Sequence, residues 1–428
     1  MRKNMLKQLV VLAGAVALSG CLGSAPQSGS GSGSGSAGSG SSGSGDTGGS
    51  SGGSTSGGGS TSSGGSTAGT ADGGAAGSAT DPGLAARQID YGQALRTAAV
   101  KLVGALPTLD EQAAVTDATS YSAQLDKYMA DPRFAVQLKA YFGDMMKMGG
   151  SLPVVNGKTT VNVSLDTAPT FATELVVKDL PLTGLWTATT NTCPTLNTTT
   201  GVFTDAACPM ATGESVSGVL SDPGAMAQFY SNMAFRRVRW VQESFVCNAF
   251  PTEFSATPQP MGSGQFTSPW PFTSITGGAT AQINFQDTSS IICANCHTTM
   301  NHMAPLFSQF DITGAYTSAI QVHTPTPAAP ITVMADWLPA TEGLAWRFGT
   351  KVTTLADLGN AMAADPQVLK CQVQRAWNWA MSKTDIVNSL AVVPDTTIAD
   401  QWALFQSSGY KLKGVLKSIF TADDFVKF

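Results

Sequence analysis

Residues Gly23 to Ala79 are nearly all Gly, Ser, Thr and Ala, and no other feature restricts the folding of this chain so severely. A stretch of that composition cannot bury enough apolar surface to offset its ordering entropy, so it reads as a flexible tether. About 57 residues at 5–6 Å × √n give a root-mean-square span of roughly 40 Å. Any core must therefore come from the about 345 residues that follow Thr80, enough for two or three modules.

The residues before the tether read as an export signal. Arg2, Lys3 and Lys7 precede an apolar run from Leu9 to Leu18, too short to span a bilayer but of signal-peptide length. The run ends in Leu18-Ser19-Gly20-Cys21, which resembles the bacterial lipobox, where the cysteine receives lipid before cleavage. The expectation is a lipoprotein signal peptide over 1–20, then an acylated Cys21 and tether over 21–80. Each buried acyl methylene adds about 0.8 kcal/mol of membrane affinity, so the acyl chains, palmitate among them, are expected to hold the protein on a membrane. Leu22 in place of an aspartate favours the outer membrane, on its periplasmic or its surface side.

Net charge is −5, more negative by three without Arg2, Lys3 and Lys7, and no basic run carries interleaved aromatics. A nucleic-acid partner is not expected. No later apolar run reaches 18 residues, so no second membrane span is expected either.

After the tether the pattern is mainly α. Tyr91, Leu95, Ala98, Ala99 and Leu102 follow helical spacing up to Gly104 and Pro107. Thr108 and Glu111 make a capping box for a second helix, and Tyr121, Leu125, Tyr128 and Met129 mark a third. Asp131-Pro132 supplies an N-cap and a first-turn proline before Phe134, Leu138, Tyr141, Phe142 and Met145. Residues Gly149 to Gly218, with alternating Val161, Val163 and Leu165 and many Thr and Asn, read as strands and loops. Helix is expected again over Pro223–Phe245, with Arg236, Arg237 and Arg239 on a solvated face, unless one arginine serves a haem propionate. Pro251 to Gly278 reads as loop. The stretches Leu355–Met362, Val368–Met381 and Trp402–Phe420 read as helices. The expected organisation is a helical module with a strand- and loop-rich insert over 81–245, a central region over 246–345, and a carboxy-terminal helical module over 346–428.

The seven cysteines divide by context. Cys21 is the lipidation site, and Cys293 and Cys296 sit in Cys293-Ala294-Asn295-Cys296-His297. Cys193, Cys208, Cys247 and Cys371 are the disulfide candidates of an exported chain. Pairing Cys193 with Cys208 would staple a Thr- and Asn-rich loop and leave Cys247 for Cys371, but four cysteines allow three connectivities.

A Cys-x-x-Cys-His run carries specific chemistry. Its two thiols add across the vinyl groups of haem, and the histidine gives the iron an axial imidazole. With seven cysteines and three histidines in the chain, chance would produce it in on the order of one sequence in a thousand. A thioredoxin-like pair would need a βαβ context, and a zinc site two more ligands, with only His302 and His323 left as histidines. One covalent haem c is expected, held by Cys293 and Cys296 with His297 on iron. Met334 is the candidate for the opposite axial position, followed by Met362 and His302.

From Cys293 to Tyr316, the haem motif with Pro305, Phe310-Asp311 and Gly314 resembles the cytochrome-c-like region of a group of secreted bacterial proteins, abundant in planctomycetes and myxobacteria and mostly described as domains of unknown function. Leu95-Arg96 through Pro107-Thr108 and Asp131-Pro132-Arg133-Phe134 resemble that group's amino-terminal helices. Arg236 to Trp240 with Cys247 and Pro251, and Cys371 through Ala380 with Gly409-Tyr410 and Phe425, resemble its approach to the motif and its carboxy-terminal module. The chain departs where the group commonly has Pro-Leu-Gly-Phe. Here Met-Asn-His-Met precedes Pro305-Leu306-Phe307, and the glycine is missing. The resemblance implies a haem protein and no particular substrate.

Two classes of function stay open. One is an electron carrier with both axial positions filled and a redox partner protein. The other is a haem enzyme, peroxidase- or oxidoreductase-like, with an open distal side; its catalytic residues have no sequence signature. A surface-binding protein with structural haem is a third possibility.

Overall fold

Local capping chemistry sets the first helices. Asp90 accepts from the Gln93 amide and opens Tyr91–Val103, which Gly104 closes in the left-handed conformation at φ 66°. Thr108 and Glu111 complete a reciprocal capping box at Leu109–Ala114. Ala118–Ala130 follows, then Pro132–Met146, with Asp131 as N-cap and Pro132 in the first turn. Their inward stripes, including Leu95, Ala99, Leu125, Leu138 and Phe142, are fully buried, as a 3.6-residue period requires.

The computed structural model describes residues 82–208, 216–247, 260–261, 264–265, 297, 299–324, 330–383 and 393–428, all in one compact unit. Cys21, the tether, Cys293, Cys296 and most of Pro251 to Gly278 lie outside the described residues. The fold is mainly α, with strands only in short antiparallel pairs among the described residues. The longest pair joins Ser151–Asn156 to Thr159–Ser164 in the register Val154↔Val161, turning at Gly157. Among the described residues, no helix is long and apolar enough to cross a membrane.

Three of the longer elements depart from the sequence reading. Thr167–Val177, inside the stretch expected to hold only strands and loops, is a helix with nine of its eleven residues buried. Burial on all sides removes the polar face that would have marked its period, and its Thr and Val content imitates a strand. Pro223–Phe245 is not one helix. Pro223–Gln228 and Phe235–Phe245 are separated by a turn in which Met233 and Ala234 take φ 54° and 57°. The stretch from Trp402 to Phe420 likewise breaks, at Gly409 and Tyr410, into Ala399–Ser407 and Leu412–Phe420.

One main core runs from Ala94 to Val426 and draws on all three stretches, 81–245, 246–345 and 346–428. The two ends of the described chain meet on it. The Asp90 amide donates to the Val426 carbonyl at 2.9 Å, and the buried Tyr121 hydroxyl donates to the Phe420 carbonyl at 2.8 Å. Among the described residues two disulfides close loops, Cys193 to Cys208 across 15 residues and Cys247 to Cys371 across 124.

Candidate functional site around His297

His297 lies on helical backbone that includes residues 299–303 and runs into the 3₁₀ turn Ala304–Phe307. Its imidazole is buried, 7% exposed, and its Nδ1 donates to Asn301 Oδ1 one turn later at 3.2 Å. Burial pulls its pKa down to about 4, against a smaller opposing effect of Asn301, so the ring is neutral at pH 7. A proton on Nδ1 leaves the lone pair on Nε2, the tautomer in which an imidazole ligates a metal. Phe235 sets its ring edge-on to the imidazole at 5.0 Å between centroids. The residues present therefore fit a haem-iron ligand: a desolvated, neutral imidazole whose other nitrogen is held by the Asn301 carboxamide oxygen.

The following turn is fastened from below by Arg237. This residue is 0% exposed, which corrects the expectation of a solvated arginine face. Its Nη1 donates to the carbonyls of Phe307 and Phe310 at 2.6 and 3.0 Å. Nε and Nη2 donate to the Met226 carbonyl, and Nη2 also to that of Asp311 at 3.1 Å. The rings of Tyr230 and Phe310 lie 5.3 and 5.9 Å from the guanidinium carbon. Burial lowers its pKa to about 9, so it stays charged at neutral pH. Arg236 is exposed, and Arg239 pairs with Glu243 on its own helix.

Asp311 shapes the loop that Arg237 holds. Its Oδ1 accepts from the amides of Thr313 and Ala315 at 2.8 and 3.0 Å, and Gly314 follows at φ 76°. A Cβ on Gly314 would collide with the Pro223 carbonyl, so only glycine lets the loop dock there. Phe310, Asp311 and Gly314 thus shape and seat the loop.

The remaining sequence candidates lie in different settings. Met334 begins the short helix Met334–Trp337 and is 47% exposed. Met362 is fully buried in Leu355–Ala364. His302 is buried, its Nε2 3.9 Å from Glu342 Oε2, and partial desolvation raises the Glu342 carboxyl. His323 bridges to Ile331, and its carbonyl accepts from the Met233 amide at 3.0 Å. Met303, six residues past His297 and so carried by one continuous helix away from the opposite haem face, is fully buried, and its Sδ accepts from Gln242 Nε2 at 3.5 Å.

A separate cavity of about 750 Å³ is lined by Lys101, Tyr141, Lys147 and Trp379 among others, and by no residue of the His297 helix. Cys193, Cys208 and Asp222 also bring sulfur and carboxyl atoms within 4.8 Å of one another. With both sulfurs joined in a disulfide, that group has no thiolate to offer and is not a metal site in this form.

Compared with protein-family models, with curated proteins and with solved structures, this chain matches none.

Proposed function

We propose that this chain is a lipid-anchored electron carrier of the bacterial cell envelope, holding one haem c through Cys293 and Cys296 with His297 on the iron. The observation that carries the reading is the His297 imidazole, buried, neutral and held at Nδ1 by Asn301, at the last position of a Cys-x-x-Cys-His run. Haem iron, when bound, supplies reversible one-electron transfer.

The chain's own residues supply position and exclusion of water. Asn301 fixes the tautomer and plane of the imidazole, and Phe235 packs its edge against the ring. The fully buried Met303 and Phe307 keep the helix end dry, and Arg237 locks the turn beyond them. Cys21 and the tether bring the domain to a membrane, on the outer-membrane reading, while leaving it free to meet a redox partner protein.

A second reading, a haem enzyme, draws on one specific observation. His302, buried five residues beyond His297, has its Nε2 3.9 Å from the half-buried Glu342 carboxyl, and such a couple can shuttle a proton.

The test is attachment. Thioether-linked haem stays with the polypeptide through a denaturing gel and stains for peroxidase activity, and Cys293→Ala with Cys296→Ala abolishes the stain. A stain that persists in the double variant overturns the proposal.

A further inference from the structure

Asp222 is buried at 1% exposure and caps the helix Pro223–Gln228, its Oδ1 accepting from the Ala225 amide at 2.8 Å. Capping alone does not explain it. Ser, Thr or Asn would cap as well without placing an ionisable carboxyl in the interior. The other oxygen, Oδ2, lies 3.8 Å from Sγ of Cys193, which is bonded to Cys208. The disulfide is asymmetric. Cys193 is buried at 7% exposure, whereas Cys208 is half-buried, with the Thr192 hydroxyl 3.2 Å from its sulfur.

We propose that the Cys193–Cys208 disulfide is a thiol–disulfide exchange centre in which Asp222 passes a proton to Cys193 while an external dithiol attacks Cys208. Exchange needs an accessible sulfur to attack and a stabilised leaving sulfur, and the two ends of this disulfide divide those roles. One thiolate of the dithiol bonds to Cys208 Sγ. The Cys193–Cys208 bond breaks, and its electron pair goes to Cys193 Sγ. Asp222 protonates that sulfur, becomes a carboxylate, and regains its proton from solvent. The dithiol's second thiolate then attacks the mixed disulfide at the dithiol's own sulfur and releases Cys208, which takes a proton from water. The chain gains two thiols and the dithiol becomes a disulfide. In the reverse direction the Asp222 carboxylate takes the proton from Cys193.

The surroundings suit a proton donor. The polar groups about the carboxyl are the amides of Gly224 and Ala225 and the Thr167 hydroxyl, which lies beside it without completing a hydrogen bond. Among the described residues no charged side chain acts on it, from its own helix, from Thr167–Val177 or from the loop that carries Cys193. Burial raises its pKa to about 6, so a substantial fraction holds a proton near neutrality.

The experiment uses the full chain and dithiothreitol. Free thiols are alkylated at intervals, and both disulfides are followed by peptide mapping, with Cys247–Cys371 as the internal reference. Asp222→Asn keeps a capping side chain and removes the proton. It should slow reduction of Cys193–Cys208 by roughly 100-fold, the low end for a positioned acid, and leave the reference rate unchanged. Equal rates in wild type and variant overturn the proposal. Two measurements on the wild type stand if the variant does not fold. Glutathione, a monothiol, should form its first adduct on Cys208, and an adduct on Cys193 overturns the assignment. The rate relative to the reference disulfide should fall as pH rises from 5 to 8, and a constant ratio excludes the donor role.

Discussion

The Nη1 atom of Arg237 donates to the carbonyl oxygen of Phe307 across 2.6 Å, joining residues 70 positions apart in the chain. Through this bond and those to Met226, Phe310 and Asp311, one buried cation replaces water for four main-chain carbonyls, three of them in the turn that follows the His297 helix.

Arg237→Met should therefore destabilise the domain by about 3 kcal/mol or more, since each buried carbonyl left unpaired costs about 1–3 kcal/mol. Arg237→Lys should recover only part, because an ammonium lacks the planar fork that reaches several acceptors. Urea unfolding followed by tryptophan fluorescence measures both, and an unchanged midpoint in Arg237→Met would remove the residue's structural role.

Asn301→Leu removes the acceptor on His297 Nδ1 at similar size. On the haem reading this weakens the imidazole as a donor more for ferric than for ferrous iron. A tenfold preferential loss, the low end for a residue that orients a metal-binding imidazole, corresponds to about 59 mV upward in reduction potential. Redox titration of wild type and variant checks it, and an unshifted or lowered potential argues against the role of Asn301.

If the protein is a carrier, both axial positions are filled and the reduced form does not bind carbon monoxide. Rapid stoichiometric binding would favour the enzyme reading. Met334→Ala tests the distal assignment cleanly, because a 47% exposed side chain should cost no more than about 0.5 kcal/mol. Any change of spectrum then reports ligation alone. Met362→Ala removes a fully buried side chain and costs about 2–5 kcal/mol, so its spectrum is read only alongside its unfolding curve.

Asp222 sets a pH dependence whose sign is fixed by its burial. The folded pKa is raised from 3.8 to about 6, so its contribution is fully present below pH 3.8 and is lost as pH rises through 6. From pH 4 to 7, Asp222→Asn should gain on the wild type by about 2 kcal/mol. Unfolding free energies at pH 4, 5, 6 and 7 provide the comparison, and a difference that does not vary with pH would place the carboxyl in water.

Cys21→Ser should release the protein from membranes, since no described helix is long and apolar enough to cross one. Membrane fractions that retain the variant would mean that the folded domain binds lipid or a membrane partner by itself.

What the sequence determined here is local. Gly104, the Thr108–Glu111 pair and Asp131-Pro132 mark helix ends because each cap acts over three or four residues, through hydrogen bonds worth about 1 kcal/mol. The mainly α fold is legible for the same reason. The cysteine pairing was narrowed to three connectivities, and the fold selected one by bringing Cys247 beside Cys371 across 124 residues. Tertiary packing alone decided the rest. The three arginines after Phe235 are equivalent by charge and composition. Only the packing of Met226, Phe307, Phe310 and Asp311 buries Arg237 and leaves Arg236 at the surface. The Thr167–Val177 helix has no polar face to announce it, because the core surrounds it. Asp222 and Cys193 are 29 residues apart, and their approach depends on a disulfide and a helix start meeting in one interior. Such contacts depend on how distant segments share buried volume, and no short-range spacing encodes that.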